Sequence, residues 1–328
     1  AIGCVEPWMS GIGGGGFMLI ARAAERKVYA VDYGMIAPKA LDPGRYALAN
    51  EGEAPEDFTF VWPRVVDDRN ILGPESVGVP GAVAGFAAAL ARFGTLSWRE
   101  ALQPAIALAD KGLPTDWYQT LQIAYGAAAG LGRFPESAKT YLPGGYPPVS
   151  LASHAPKRLK LGNLGQTLRR LADAGPEDFY KGALAEKLLK DLAGSAFQAE
   201  DLADYAAAIK EVEGMPHRGQ RIHLAPGLTA GPTLARALKS LTATLDPAAG
   251  LTPAAYVAWA EALSEAYGHR FKTLGHGAPA DELACTTHIS VVDRNGDMVA
   301  LTNTLLERFG SRYMGAETGI LFNNGIMW

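Results

Sequence analysis

The stretch "TTHISVVDRNGDMVALTNTL", residues 286–305, reads as two strands around a turn. "ISVV" and "MVAL" are short apolar runs, and the Asn295-Gly296 pair between them is a strong hairpin signal. If those two residues form the turn, Arg294 faces Asp297, Thr287 lies opposite Thr304, and Thr286 lies opposite Leu305. Thr304 is then the diagonal neighbour of Thr286, within side-chain reach. The hairpin alone therefore brings two hydroxyls together at its open end.

A threonine hydroxyl near neutral pH needs a base before it can attack. Cutting the chain just ahead of it frees an α-amine with a pKa of roughly 7.7–8.0, which can take the hydroxyl proton. The structural alternative is that Thr286 and Thr287 are ordinary β-formers at a strand edge. Spacing alone leaves both readings open. His288 shares the strand face of Thr286 and is expected as a packed or hydrogen-bonded structural residue. Cys285 precedes the cut and belongs to its leaving side.

Outward from the hairpin, the 328 residues carry a net charge of −4, 48% hydrophobic and 20% charged residues. That is the balance of a globular protein with a real core, and it offers no electrostatic case for nucleic acid. No apolar run reaches about 18 residues, so no membrane span is expected. Two cysteines, Cys4 and Cys285, make no disulfide framework. The six histidines form no HExxH pattern, so no metal site is expected. The chain opens at Ala1 and stops at Trp328 inside structured-looking sequence, and it is read as an internal fragment. Compartment stays open.

Gly11, Gly13 and Gly16 satisfy GxGxxG, but "FMLIA" follows where a helix should open. A glycine turn into a hairpin is expected instead, "FMLIAR" to "KVYAVDY" joined by "AAER". Residues 40–76 read as a long loop, a length often tied to function. "VPGAVAGFAAALARFG" reads as a small-residue helix, and Ser97 with Glu100 as a capping box for the next. "DFYKGALAEKLLKDLAG" and "AEDLADYAAAI" are expected helices, "KRLK" (157–160) a solvated loop or helix entry. Thr252 is the expected N-cap of a helix beginning at Pro253. Strands at both ends of a helical middle imply one layered α+β domain.

The chain also resembles the gamma-glutamyltranspeptidase (glutathione hydrolase) family of N-terminal nucleophile hydrolases. The likeness rests on "VEPWMSGIGGGGFMLI", "GVPGAVAGFAAALARFGTLSWREALQPAIALADKG", "DFYKGALAE", "EDLADY" and "TTHISVVDRNGDMVALTNTLLERFGS…TGILFNN", in that order. It implies a four-layer αββα sandwich, incomplete at both termini. It implies a proenzyme cut between Cys285 and Thr286, with residues 1–285 large-subunit-like and 286–328 the start of a small subunit. Thr286 becomes the nucleophile and Thr304 its supporting hydroxyl. No cofactor is implied. The partners implied are a small amide or peptide substrate and the second subunit. Oxyanion donors are expected beyond Trp328.

The resemblance also implies ligands for a γ-glutamyl zwitterion, and here the sequence departs. The family's arginine position is Pro43, its asparagine after the second threonine is Leu306, and the two positions after "NN" are Gly325 and Trp328. A hydrogen bond to a charged group is worth roughly 1.5–3 kcal/mol, so losing two costs about a hundredfold in affinity. A changed, less polar or differently charged acyl pocket is therefore expected. Arg45, Arg69, Asn303, Asn324 and Trp328 are the candidate substrate-binding residues. The rival reading is an unprocessed, non-catalytic member that binds a ligand or partner.

Overall fold

A computed structural model describes residues 1–53, 63–150, 155–245, 248, 250–273 and 285–327. Its centre is a five-stranded antiparallel sheet. The strands are β1 (Gly15–Arg22), β2 (Lys27–Tyr33), β3 (Ala208–Glu211), β4 (Cys285–Val292) and β5 (Met298–Leu306). Their spatial order is β4-β5-β1-β2-β3, so the last hairpin docks on the first.

The β1–β2 hairpin follows the sequence reading. Arg22 pairs with Lys27 and "AAER" spans the turn. Alternation then sends Met18, Ile20, Val31 and Tyr33 to one face, where they are buried with Ala89. The helix α1 (Ala82–Phe93) covers that face. Its small residues let it come close: a Cβ on Gly85 would stand 2.2 Å from the Tyr33 ring. Burial pushes the Tyr33 hydroxyl well above the usual phenol range, and it donates to the Thr302 carbonyl at 3.0 Å.

Beyond α1 lies a helical layer with its own core. The helices α2 (Trp98–Lys111) and α3 (Leu164–Ala174) pack together. The capping box expected for α2 is present: Ser97 Oγ accepts from Glu100 N–H, and the Glu100 carboxylate accepts from Ser97 N–H. Leu168 and Leu171 sit at helical spacing and are buried with Leu305, Phe309 and Phe322. The strand end that carries Thr304 thus runs into the largest apolar core. Thr252 caps the helix Pro253–Thr273, accepting from Ala255 N–H at 3.3 Å.

Several elements differ from expectation. "AEDLADYAAAI" is helical only over Ala199–Ala203; its end turns into β3. Ala207 and Ile209 pack under the sheet and β3 pairs with β2, a tertiary gain that outweighs alanine's helix propensity. "KRLK" contributes the strand Lys157–Leu159, because Leu159 is buried while its pairing with Leu113–Thr115 satisfies the backbone. "DFYKGALAEKLLKDLAG" breaks at Gly182 into Asp178–Lys181 and Ala183–Asp191. The supposed loop 40–76 contains a ribbon of Leu48–Glu53 with Pro63–Val65, and part of it lies outside the described residues.

The α+β class is as expected. Among the described residues there is one large sheet, accompanied by three two-stranded ribbons. No described helix is long and apolar enough to cross a membrane.

Candidate active site

The turn of the last hairpin is one residue longer than its Asn-Gly pair suggests. Asp293 N–H donates to the Asp297 carbonyl at 2.9 Å, leaving a three-residue turn, Arg294–Asn295–Gly296. The Asp293 carboxylate stabilises it by accepting from the N–H groups of Asn295 (2.8 Å) and Asp297 (2.9 Å). Gly296 takes the left-handed conformation, φ +85°, that such turns require. Every pair is therefore displaced by one from the sequence expectation. Thr286 stands directly opposite Thr304, and Thr287 opposite Asn303.

The displacement tightens the site. Thr286 Oγ1 donates to Thr304 Oγ1 at 3.2 Å. Thr304 is buried, and its oxygen also accepts from the Leu306 N–H at 2.8 Å. The register breaks between Cys285 and Thr286: Cys285 pairs with Leu306, so Leu305 is skipped as a bulge. Leu305 N–H turns away to the Met9 carbonyl. Leu306 is held at φ +80°, a region that non-glycine residues seldom occupy.

The glycine run explains how this strand end is seated. A Cβ on Gly14 would lie 2.1 Å from the Thr304 carbonyl oxygen, and one on Gly16 would lie 2.0 Å from that of Thr302. Only glycine permits that approach. The expected turn is there, with Gly14 N–H donating to the Gly11 carbonyl at 3.2 Å, and Gly14 and Gly16 in addition let the strands pack.

His288 lies on the Thr286 face. Its Nδ1 is 2.8 Å from Thr302 Oγ1 and its Nε2 3.1 Å from Ser290 Oγ, so both ring nitrogens are engaged by hydroxyls. Thr287 faces the other way, buried, with its hydroxyl 3.5 Å from Glu6. Asn303 shares that opposite face and donates to the Gly11 carbonyl at 3.3 Å. An apolar cleft of about 850 Å³ opens there, lined by Ile289, Val291 and Leu301. This cleft is thus across the sheet from the paired threonines.

Asn324 is fully buried. It accepts from Glu307 N–H at 3.2 Å, and its amide nitrogen approaches Met327 Sδ at 3.2 Å. It clamps the loop after β5 through these two bonds. Arg45 and Arg69 both pair with Glu75, beside a cavity of about 510 Å³ that Arg133, Leu72 and Phe134 also line. Trp328, and the side chain of Cys285, lie outside the described residues.

Sequence reasoning missed three residues here. Asn323 is fully buried and saturated: it donates to the carbonyls of Gly13 and Gly78 and accepts from the N–H groups of Gly78 and Gly325. Glu307 and Arg312 form a buried ion pair at 2.8 Å. Only the charges of "ERFGSR" inside an apolar run hinted at that pair. Among the described residues no cluster of three or more His, Cys, Asp or Glu side chains is arranged to hold a metal.

The family model described as Gamma-glutamyltranspeptidase matches residues 1–284 and 277–327. An acylase ACY 1 proenzyme of Pseudomonas sp. (strain V22) is 31% identical over 99% of the chain and 62% of its own length. A glutathione hydrolase proenzyme of Escherichia coli (strain K12) is 27% identical over 99% of the chain and 60% of its own length. The chain therefore spans under two thirds of these relatives. Among solved structures, the cephalosporin acylase from Bacillus halodurans superimposes with a TM-score of 0.77 at 23% identity, covering 98% of this chain and 62% of that one. The gamma-glutamyltranspeptidase from Pseudomonas nitroreducens, complexed with L-DON, gives 0.67 at 27% identity over 84% of this chain and 76% of that one. These likenesses carry the N-terminal nucleophile hydrolase fold. From the glycine-rich segment through the paired-threonine hairpin, the chain belongs to the gamma-glutamyltranspeptidase family.

Proposed function

We propose that this chain is the greater part of an autoprocessing amidohydrolase or acyltransferase with an N-terminal threonine nucleophile. The carrying observation is the Thr286 hydroxyl donating to Thr304 at the point where the strand register breaks. The chain is cut between Cys285 and Thr286, giving a large-subunit segment, 1–285, and the start of a small one at 286. The freed α-amine of Thr286 removes the hydroxyl proton. The hydroxyl oxygen attacks the amide carbonyl, and the amine returns the proton to the leaving nitrogen. An acyl ester on Thr286 results. Water, or an acceptor amine, then attacks the ester and releases the acyl group.

Thr304 holds the nucleophile in place. Its oxygen takes the Thr286 proton in hydrogen bonding, and the Leu306 N–H fixes the orientation of Thr304 itself. The proenzyme names of the relatives support processing, and their hydrolase and acylase names support amide cleavage. The reading calls on no cofactor.

A denaturing gel tests it. The full-length protein is expected to split into two fragments, the smaller beginning Thr-Thr-His on N-terminal sequencing. Thr286→Ala is expected to stay whole and inactive. A wild type that folds but never splits, or a Thr286→Ala variant that splits at the same bond, ends this reading.

A further inference from the structure

We infer that the acyl group taken by Thr286 is a neutral aliphatic chain, and that Leu306 is the residue that selects it. The inference rests on the proposed nucleophile and goes beyond it by naming the substrate class. Leu306 is tied to the threonine pair by its backbone, through the bond from its N–H to Thr304 Oγ1. That bond and the bulge opposite Cys285 hold it at φ +80°. The backbone of Leu306 is thereby fixed beside the threonine pair.

Its surroundings are apolar. Leu306 packs against the buried trio Ile71, Leu72 and Met327, with Phe134 beside them. It remains only partly buried itself, as does Thr286, so apolar surface is accessible beside the nucleophile. Among the described residues, several polar groups of the adjoining elements are already paired. Asn324 is spent on Glu307 and Met327. Arg45 and Arg69 share Glu75. Arg64 pairs with Asp68, and the buried Glu307 and Arg312 pair with each other. An amino-acid head group placed against Leu306 itself would lose water to an aliphatic side chain that offers no counter-ion. An alkyl chain there would remove apolar surface from water.

The test uses the full-length protein with p-nitroanilides of hexanoic, γ-glutamic and glutaric acid. The wild type is expected to favour hexanoyl over γ-glutamyl by about 100-fold in kcat/KM. Leu306→Asn keeps the backbone N–H, and asparagine tolerates the left-handed region well. It is expected to lower hexanoyl kcat/KM by about 10-fold, chiefly through KM, with self-cleavage intact on the gel. Preference of the wild type for γ-glutamyl or glutaryl would overturn the inference without any variant. So would an unchanged hexanoyl constant in Leu306→Asn. If the gel shows no cleavage at Thr286, the nucleophile has failed; if cleavage occurs but the preference is reversed, only the acyl assignment has.

Discussion

Two walls adjoin the end of β5 that carries Thr304, and they are built differently. One wall, made by Thr304, Glu307, Arg312, Asn323 and Asn324, is tied by buried polar groups: Asn323 reaches far along the chain to Gly13 and Gly78, and shorter ties join Asn324 to Glu307 and Glu307 to Arg312. The other wall, around Leu306, Leu72, Phe134 and Met327, is apolar, and Arg45 and Arg69, which line a cavity with Leu72 and Phe134, are part-exposed and paired with Glu75. The first arrangement fixes atoms through directional bonds. The second supplies shape and dryness with few directional bonds. The two walls should therefore answer mutation differently.

The largest effect is expected where the first wall is seated. Gly14→Ala would put a methyl carbon 2.1 Å from the Thr304 carbonyl oxygen, backbone that has no room to move. The end of β5 would have to lift from the glycine segment. Loss of more than about 4 kcal/mol of stability, and of self-cleavage with it, is expected. Chemical denaturation and the processing gel read both. A Gly14→Ala protein of normal stability would mean the two walls are equally tolerant.

Glu307→Ala comes next. It leaves Arg312 buried without its carboxylate, at a cost of about 3–5 kcal/mol. Glu307→Gln keeps an acceptor and should recover part of the loss. If urea midpoints of wild type and Glu307→Ala coincide, the buried pair is not what holds this wall. Thr304→Val is smaller in stability, about 1–3 kcal/mol for the orphaned Leu306 N–H, but it is expected to slow self-cleavage strongly. Time courses of fragment appearance separate that kinetic effect from the modest destabilisation.

The walls also differed in how far they were legible. The threonine pair could be found from the Asn-Gly turn because strand pairing carries local information a long way. The register was off by one because Asp293 adds a side-chain-stabilised residue to the turn, which pairing rules alone do not see. The β1–β2 hairpin and the α2 capping box were readable for the same local reason. β3 was misread because its alanines favour helix in isolation and only β2's free edge makes them a strand. Asn323 was invisible: its partners Gly13 and Gly78 are brought to it by the fold and by no spacing in the sequence. Asn324, noticed in "NN" as a substrate contact, also has bonds to Glu307 and Met327 that the fold sets and no spacing announces.

The smallest expected effect sharpens the contrast most. Arg45 is 41% exposed and its pairing with Glu75 is of the surface kind, worth under about 1 kcal/mol. Arg45→Ala should leave stability and self-cleavage within that margin. It also frees Glu75, which retains Arg69. If Arg45 instead grips a substrate carboxylate, its loss raises KM for glutaryl and γ-glutamyl amides while hexanoyl is untouched. The expected outcome is no selective change, because Glu75 already occupies the guanidinium. A selective rise in KM for the anionic acyl groups would transfer Arg45 to the recognition wall and give that wall the directional bond it otherwise lacks.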